Sequence, residues 1–287
     1  MPKEKNIYEN QINMLLDKGI FIEDKKEVID ILSSLSYYTI IGYIPNFTDK
    51  NIDYKNKLSF NTIYKTYLFD RRLRNIIIYI LEIIENTLKT KIAYALFNET
   101  GDLGYLDNKN FKDFKEHKML ISNLKKLLQK DKKIEIVNTY TKEYNNKLPI
   151  SICINIFTIG MIKSLYKNVN TSVQKMVAKE YNTGVNQLMS WIENIVYTRN
   201  LVAHYMRIYN FKLQRIPANC KVNHNYNVIT YRIFDIFHIM KFLILDKDEW
   251  NNHIILNLES LIDEYKIYIE LDLIGFCEDW KEILIKA

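Results

Sequence analysis

Apolar residues recur along most of this chain with the spacing of an α-helix. The strongest pattern covers residues 70–97, where apolar side chains return every three or four positions and predict one long amphipathic helix. The positions that carry this stripe are Leu73, Ile77, Ile80, Ile84 and Leu88. Asp70 is a suitable N-cap for the helix, because a carboxylate accepts hydrogen bonds from the first free backbone N–H groups.

Other helical patterns precede and follow this segment. They cover residues 7–16, 26–35, 171–181, 185–210, 229–245 and 253–269, and two polar helices are predicted within residues 111–144. Pro149 opens a buried helix that extends to about residue 167, and the aromatic segment 36–45 ends at Gly42 and Pro45. Polar loops are predicted at residues 51–58, 98–110 and 215–227.

The pattern therefore predicts an all-α fold of many helices, since no stretch alternates polar and apolar residues long enough to favour a sheet. We expect residues 1–58 to form an N-terminal helical subdomain that packs on a main helical domain of residues 59–287. A chain of 287 residues can bury a sizeable core. Only 7 glycines and 4 prolines are present, so few positions force a turn.

Charge adds a weak preference for a polyanionic partner. Lysine and arginine number 40 against 34 aspartates and glutamates, which gives a net charge of +6. The cations cluster in two places, which are Arg71, Arg72 and Arg74, and the run Lys125, Lys126, Lys130, Lys132 and Lys133. The lysine run also fits a solvated helix face, and both interpretations remain open.

Cysteine usage and hydropathy indicate the compartment. Cys153, Cys220 and Cys277 are odd in number and far apart in the sequence, which favours neither a disulfide framework nor a zinc site. The N-terminus leads into no apolar signal core, and no apolar run reaches the ~18 residues of a membrane span. We expect a cytoplasmic protein that does not enter the membrane.

Residues 191–210 carry the side chains that point most clearly to chemistry. On a helical wheel one face is predicted to be core, and it holds Trp191, Ile195, Val202, Tyr205 and Met206. The opposite face holds Glu193, Asn200, His204 and Arg207, of which the last three are direct neighbours. Arg199 lies at the rim and is long enough to reach a shared phosphate. Arginine binds phosphate, an amide orients it, and histidine transfers a proton near neutral pH, so the set suits a phosphodiester.

Other kinds of site lack support in the sequence. No second histidine or carboxylate stands at metal-ligand spacing near His204, and the arginines would repel a cation, so we expect no metal and no cofactor. No nucleophile elbow and no glycine-rich phosphate loop is present. The remaining histidines are predicted to be structural or merely exposed, and they are His117, His224, His238 and His253.

The run Arg199-Asn200-Leu201-Val202-Ala203-His204 resembles the Arg-(Asn/Asp/His)-x3–5-His signature of HEPN ribonucleases. Residues 30–280 more widely resemble the Abi-like family of abortive-infection proteins (AbiD/AbiF type). The segments that carry this resemblance are Leu35-Ser36-Tyr37-Tyr38 with Gly42-Tyr43, Phe69-Asp70-Arg71-Arg72-Leu73-Arg74, Ile84-Glu85, the run from Arg199 to Asn210, and Gly275-Phe276 with Trp280. One departure is Tyr205, which follows His204 where relatives often have another polar residue.

The resemblance implies a metal-independent endoribonuclease whose helical fold is built around a four-helix core. His204 would act as base or acid while an RNA 2′-hydroxyl attacks the adjacent phosphate, Arg199 would stabilise the developing charge, and Asn200 would orient the reacting groups. Arg207, Asn210 and the pair Glu85–Lys89 would support the site, although Glu85 and Lys89 also fit an ordinary i,i+4 ion pair. The two cation clusters would bind RNA.

A single motif supplies a single histidine, whereas this cleavage works best with both a base and an acid. We therefore expect a homodimer with a composite active site. The resemblance also implies a toxin-like antiphage role under the control of a cognate antitoxin, for which a small structured RNA is the hypothesis. The alternatives are a non-catalytic HEPN protein that binds RNA or acts as a scaffold, and, with less support, a nucleotide-binding regulator.

Overall fold

The computed structural model describes residues 2–48, 58–130, 139–140, 144, 147–218 and 229–286. Within these residues the structure contains helices and turns but no strand, and its only extended pairings are isolated bridges of Phe21 with Ser59 and of Phe111 with Val169. The predicted all-α fold is therefore confirmed. In this described part, no helix combines the length and the apolar character that crossing a membrane requires.

The N-terminal region consists of a helical pair and two short helices. They are α1 (Pro2–Asp17), α2 (Lys25–Ser34), α3 (Tyr37–Ile41) and α4 (Pro45–Thr48). Gly19 takes a positive φ of 78° between α1 and α2, and Asp24 caps α2 by accepting the N–H of Lys26 at 2.8 Å. Pro45 opens α4 instead of ending the segment, because proline fits the first helical position, where no N–H bond is required.

The central element of the fold is α5 (Phe60–Thr100). It begins well before Asp70, so the prediction of Asp70 as its N-cap is wrong. Ser59 caps the helix, since its Oγ accepts the N–H of Thr62 at 3.1 Å. Asp70 lies fully buried inside the helix, and its partners are Arg74 on the same helix and residues from two other parts of the chain.

The remaining helices are α6 (Phe114–Lys130), α7 (Ile150–Cys153), α8 (Ile159–Asn168), α9 (Thr171–Glu180), α10 (Val185–Ala203), α11 (Ile233–Leu243), α12 (Leu256–Tyr265) and α13 (Trp280–Leu284). Most of them pack against α5, and α6 and α13 pack on helices that do so. A π-helical stretch, Glu249–Ile255, leads directly into α12. Short 3₁₀ turns lie at Gly104–Leu106, Asn108–Asn110, Ile154–Ile156 and Leu271–Ile274.

The single buried helix predicted after Pro149 is interrupted. Phe157 is extended (φ −69°, ψ 135°), and Thr158 starts a new helix by accepting the N–H of Met161 at 3.3 Å. Hydrophobic periodicity runs across this break because both helices bury apolar side chains in the same core. Most of the second polar helix predicted before residue 144, and residues 51–57 and 219–227 of the predicted loops, lie outside the described residues.

One hydrophobic core joins the whole described chain. The buried stripe of α5 contacts α7 to α12, and the core extends without interruption from Leu15 in α1 to Leu284 in α13. Tyr37, Ile40 and Tyr43 bring the N-terminal region into this core beside α5. The division of the chain at residue 58 stays a prediction, but the first helices clearly pack on the rest.

Candidate functional site

The helix that carries the motif ends earlier than its periodicity predicts. Helix α10 stops at Ala203, and the chain then reverses in a Schellman turn. The N–H of Tyr205 donates to the carbonyl of Val202 at 3.1 Å, and the N–H of Met206 donates to that of Leu201 at 3.0 Å. Tyr205 has a left-handed φ of 57°, a conformation that glycine usually supplies at this position.

This early end overturns part of the helical wheel. Tyr205 and Met206, which the wheel places in the core, are 82% and 48% exposed. Trp191, Ile195 and Val202 lie before the turn and are buried as predicted. The wheel fails only beyond Ala203, because it assumes one helical rotation per residue through a segment that leaves the helix.

Asp70 holds the segment that follows the turn. Its Oδ1 accepts the backbone N–H groups of Ile208 at 3.0 Å and Tyr209 at 2.8 Å, and its Oδ2 accepts the Tyr43 hydroxyl at 2.5 Å. The guanidinium of Arg74, one turn further along α5, donates to the same Oδ2. We call these residues the Asp70 network; it ties α5 to the N-terminal region and to the chain beyond α10.

Within the Asp70 network, the positive charge of Arg74 balances the negative charge of Asp70. Burial raises the pKa of Asp70, while the positive charge of Arg74 and the hydrogen bonds from Tyr43, Tyr209 and Ile208 oppose that rise. Arg74 is itself only 5% exposed and also donates to the carbonyl of Met206 at 3.4 Å. Its position gives it a structural role, in contrast to the predicted surface contact with RNA.

Arg207 and Asn210 also anchor this segment. The Arg207 guanidinium donates to the carbonyl of Gly42 and lies 5.8 Å from the centroid of the Tyr43 ring. The Asn210 side-chain oxygen accepts a hydrogen bond from Arg232 at 2.8 Å. The predicted grouping of Arg207 with His204 on one helical face is therefore wrong, because Arg207 lies beyond the turn and faces the N-terminal region.

The three motif residues themselves face solvent at the end of α10. Arg199 and Asn200 occupy its last turn and His204 is its C-cap, and all three are exposed. Within the described part of the chain, no hydrogen bond or ion pair engages their side chains. The structure thus leaves all three predicted catalytic residues exposed at the end of α10, and their catalytic role stays a prediction.

Arg199 faces α5 across a shallow cavity of about 360 Å³, which we call the Arg199 groove. Its polar lining on α5 comes from Glu82, Glu85 and Asn86, so the predicted residue Glu85 does lie beside the motif. The Glu85 carboxylate pairs with Lys89 at 2.8 Å, and Lys89 also approaches the carbonyl of Asn155 at 3.4 Å. Both side chains are largely covered, which distinguishes the pair from an ordinary surface ion pair.

A larger cavity of about 890 Å³ lies on the other side of the turn, and we call it the arginine cavity. The Arg199 groove and the arginine cavity share Ile78 and Val202 as lining residues, so the two cavities are adjacent. The sequence did not reveal the arginine cavity. Its walls come from α2, α3, α5 and the turn after α10, which are far apart in the sequence and meet only in the folded protein.

The predicted cation clusters have different surroundings. Arg71 is exposed and lines the arginine cavity, whereas Arg72 is exposed but paired with Glu264 on α12 at 2.5 Å. Lys125 and Lys126 are exposed on α6. The side chain of Lys130, and Lys132 and Lys133 entirely, lie outside the described residues.

The other histidines and cysteines that the structure describes are far from the motif in the sequence and differ in exposure. His117 is buried, with Nε2 2.9 Å from the carbonyl of Tyr105; His238 is buried on α11; and His253 is exposed. Cys153 is buried and Cys277 is exposed, while His224 and Cys220 lie outside the described residues. Across the described ranges, no group of three or more potential metal ligands comes together.

Comparison with known proteins places the chain in a family. No curated protein and no solved structure shows significant similarity to the chain. A family model described as Abi-like protein matches residues 30–210, which is more than half of the chain. The matched region begins before the arginine cavity and ends just after the Asp70 network. The chain belongs to the Abi-like protein family.

Proposed function

We propose that this protein is a metal-independent endoribonuclease of the HEPN type that acts in abortive-infection defence against phage. Membership of the Abi-like family supports the defence role. The observation that carries the ribonuclease proposal is the exposed, unengaged set Arg199, Asn200 and His204 on a rigidly held helix end. Water can satisfy these exposed groups, so the support lies in the residue types: an arginine, an amide and a histidine within six consecutive positions suit a phosphodiester.

The chemistry follows from the residue types. His204 takes the proton of a ribose 2′-hydroxyl, whose oxygen attacks the adjacent phosphorus while the bond to the 5′-oxygen breaks. The departing oxygen receives a proton, and the products are a 2′,3′-cyclic phosphate and a 5′-hydroxyl. Arg199 neutralises charge on the non-bridging oxygens, and Asn200 orients His204 or the phosphate. The need for the 2′-hydroxyl restricts cleavage to RNA.

The groove beside Arg199 supplies a second polar wall. Glu82 and Asn86 are exposed there and can contact the ribose, while the Glu85–Lys89 pair presents little net charge to a phosphate. We assign Glu85 and Lys89 a positioning role that keeps this wall of α5 in place opposite Arg199.

The first experiment compares wild type with His204→Ala and Arg199→Ala on total RNA in EDTA, with end-group determination on the products. We expect each variant to lose about 10²- to 10⁴-fold in cleavage rate. His253→Ala is the matched control, because His253 is another exposed histidine but lies far along the chain in the π-helical stretch. Cleavage that requires added divalent metal, or that survives His204→Ala, would disprove this mechanism.

A base and an acid are both useful for this reaction, and one chain provides a single motif histidine. We therefore propose that two copies join their motifs in one composite site. After subunit exchange in a 1:1 mixture of wild type and His204→Ala, activity per chain should fall to about a quarter if both histidines are needed. Independent sites would leave about half.

Control by an antitoxin completes the proposal, with a small structured RNA as the candidate. Sequencing of RNA that copurifies with His204→Ala should return one structured species held through its phosphates. Random fragments would speak against an RNA antitoxin. Tight RNA binding without any cleavage by wild type would instead favour the alternative of a non-catalytic HEPN protein.

A further inference from the structure

The arginine cavity has the composition of a nucleotide site. Its cationic lining consists of Arg71, Arg74 and Arg207, and no carboxylate is among the described residues that line it. Asp70 balances the charge of Arg74, whereas the exposed Arg71 contributes positive potential to the cavity. A volume of about 890 Å³ lies within the range of small-ligand clefts, about 300–1,000 Å³.

Tyr205 marks the mouth of this cavity and carries backbone strain. Its φ of 57° is unfavourable for a side chain with a β-carbon, yet its ring is 82% exposed and therefore gains little from burial. Glycine would satisfy the same turn without strain. A strained, exposed aromatic ring beside a cationic cavity is more useful as a surface on which a base can stack.

The arginine cavity adjoins the Arg199 groove. Ile78 and Val202 belong to both the cavity and the Arg199 groove, and Tyr205 follows His204 in the chain. A strand whose scissile phosphate lies at Arg199 would therefore pass the exposed Ile78 side chain and bring its neighbouring nucleotide to Tyr205.

Resting on the proposed ribonuclease function, we propose that the arginine cavity binds the unpaired nucleotide next to the scissile phosphate. The base stacks on Tyr205, and Arg71 holds the phosphate. A paired base cannot lie on an aromatic ring in this way, because it remains stacked inside its duplex. The cavity thus makes the enzyme select a single-stranded position.

The first test measures binding of a short, single-stranded RNA that is fully 2′-O-methylated and so cannot be cleaved. Arg71→Gln should weaken binding about tenfold. It should also reduce the slope of log affinity against log salt concentration by the amount that about one phosphate contact contributes. Arg72→Gln is the matched control: its side chain neighbours Arg71 on α5 and is also exposed, but it does not line the cavity. Equal affinities for the two variants would overturn the proposal.

The second test separates function from folding at Tyr205. Tyr205→Gly should bind the same RNA about tenfold more weakly while its thermal midpoint stays the same or rises, and Tyr205→Phe should bind like wild type. Tyr231→Gly is the control, since Tyr231 has the same φ of 57° and lies outside the cavity. Unchanged binding by Tyr205→Gly, or a loss of binding that accompanies a loss of stability, would overturn the proposal.

Two further arms identify the ligand. Double-stranded RNA of equal length should bind through the cavity much more weakly, and free AMP should compete only at high concentration; strong competition by AMP would indicate a small-nucleotide site instead. Because the RNA is uncleavable, the outcome does not depend on His204. If the ribonuclease proposal is wrong, His204→Ala will cleave RNA like wild type. That result leaves the binding measurements with Arg71→Gln and Tyr205→Gly unchanged.

Discussion

At the scale of single residues, Asp70 has the largest structural consequence. One carboxylate receives donors from Tyr43, Arg74, Ile208 and Tyr209, which satisfies the buried charge and fixes two non-helical backbone N–H groups. A buried carboxylate is tolerated only when it is paired and hydrogen-bonded in this way. The sequence analysis singled out Asp70 but placed it at the start of a helix. A short carboxylate that accepts backbone N–H groups suits both an N-cap and the buried position that Asp70 occupies, so the residue type alone does not distinguish them.

Replacing Asp70 with asparagine should strongly destabilise the fold. The amide oxygen can still accept one backbone N–H, but Arg74 would remain charged and buried without a counterion. We expect a loss of about 3 kcal/mol in the free energy of unfolding, measured by urea denaturation.

Glu264→Gln provides the matched control for Asp70→Asn. It also removes the carboxylate partner of an arginine, but the Arg72–Glu264 pair is about half exposed. We expect a change below about 1 kcal/mol, because solvent screens exposed ion pairs. A similar, small loss in both variants would mean that the Asp70 network contributes little to stability.

At the scale of elements, the sequence predicted the buried faces of the helices better than their ends. The stripe of α5 is buried as predicted, because the helical period alone determines which side chains share a face. The ends depend on local caps. Ser59 was a recognisable N-cap that the strong pattern after residue 70 obscured, whereas the end of α10 depends on a tyrosine in a conformation normally reserved for glycine.

Helix α11 shows how enclosure changes the chemistry of a side chain. Nearly every residue of this helix is buried, and the enclosed set includes His238 and Lys241. Desolvation, with a smaller contribution from Lys241, lowers the pKa of His238 to about 4. The sequence predicted His238 to be structural or exposed, and its burial places it in the structural class.

The lowered pKa of His238 predicts a specific acid sensitivity. The unfolded chain binds a proton at this histidine below about pH 6.5, whereas the folded protein does so only near pH 4, so stability falls as the pH drops between these values. Between pH 7 and pH 5 wild type should lose about 2 kcal/mol more than His238→Gln.

The measurement for His238 is chemical denaturation at several pH values. His253→Gln should retain the wild-type pH dependence, because His253 is exposed. The same acid sensitivity in His238→Gln and wild type would show that His238 is not the group responsible.

At the scale of the whole molecule, the site is assembled from distant parts of the sequence. The motif on α10 was predictable because its residues lie within one stretch of chain. The arginine cavity was not, because Tyr43, Arg71 and Arg207 meet only after the N-terminal region docks on α5 and the chain reverses after Ala203. Position along the sequence carries no information about such a meeting.

Removal of residues 1–48 should therefore abolish both cooperative folding and RNA binding. The truncated chain would expose the face of α5 that Tyr37, Ile40 and Tyr43 cover, and Asp70 would lose a hydrogen bond. We expect no cooperative thermal transition at the wild-type midpoint and no tight binding of single-stranded RNA.

Tyr43→Phe tests the same docking in the intact chain. It removes only the hydroxyl that donates a hydrogen bond to Asp70 and should lower the free energy of unfolding by about 1 kcal/mol.

The truncation has its own contrary outcome. A chain without residues 1–48 that unfolds cooperatively at the wild-type midpoint would show that the main helical domain folds independently of its N-terminal region.

The Asp70 network has one more consequence, which concerns the exchange of amide hydrogens with solvent. Ile208 and Tyr209 lie outside every helix, in a kind of segment whose amides normally exchange within seconds to minutes. Their hydrogens point instead at the buried carboxylate of Asp70. They should exchange as slowly as those of α5, opening only when the whole molecule unfolds, so that this irregular segment reports global stability.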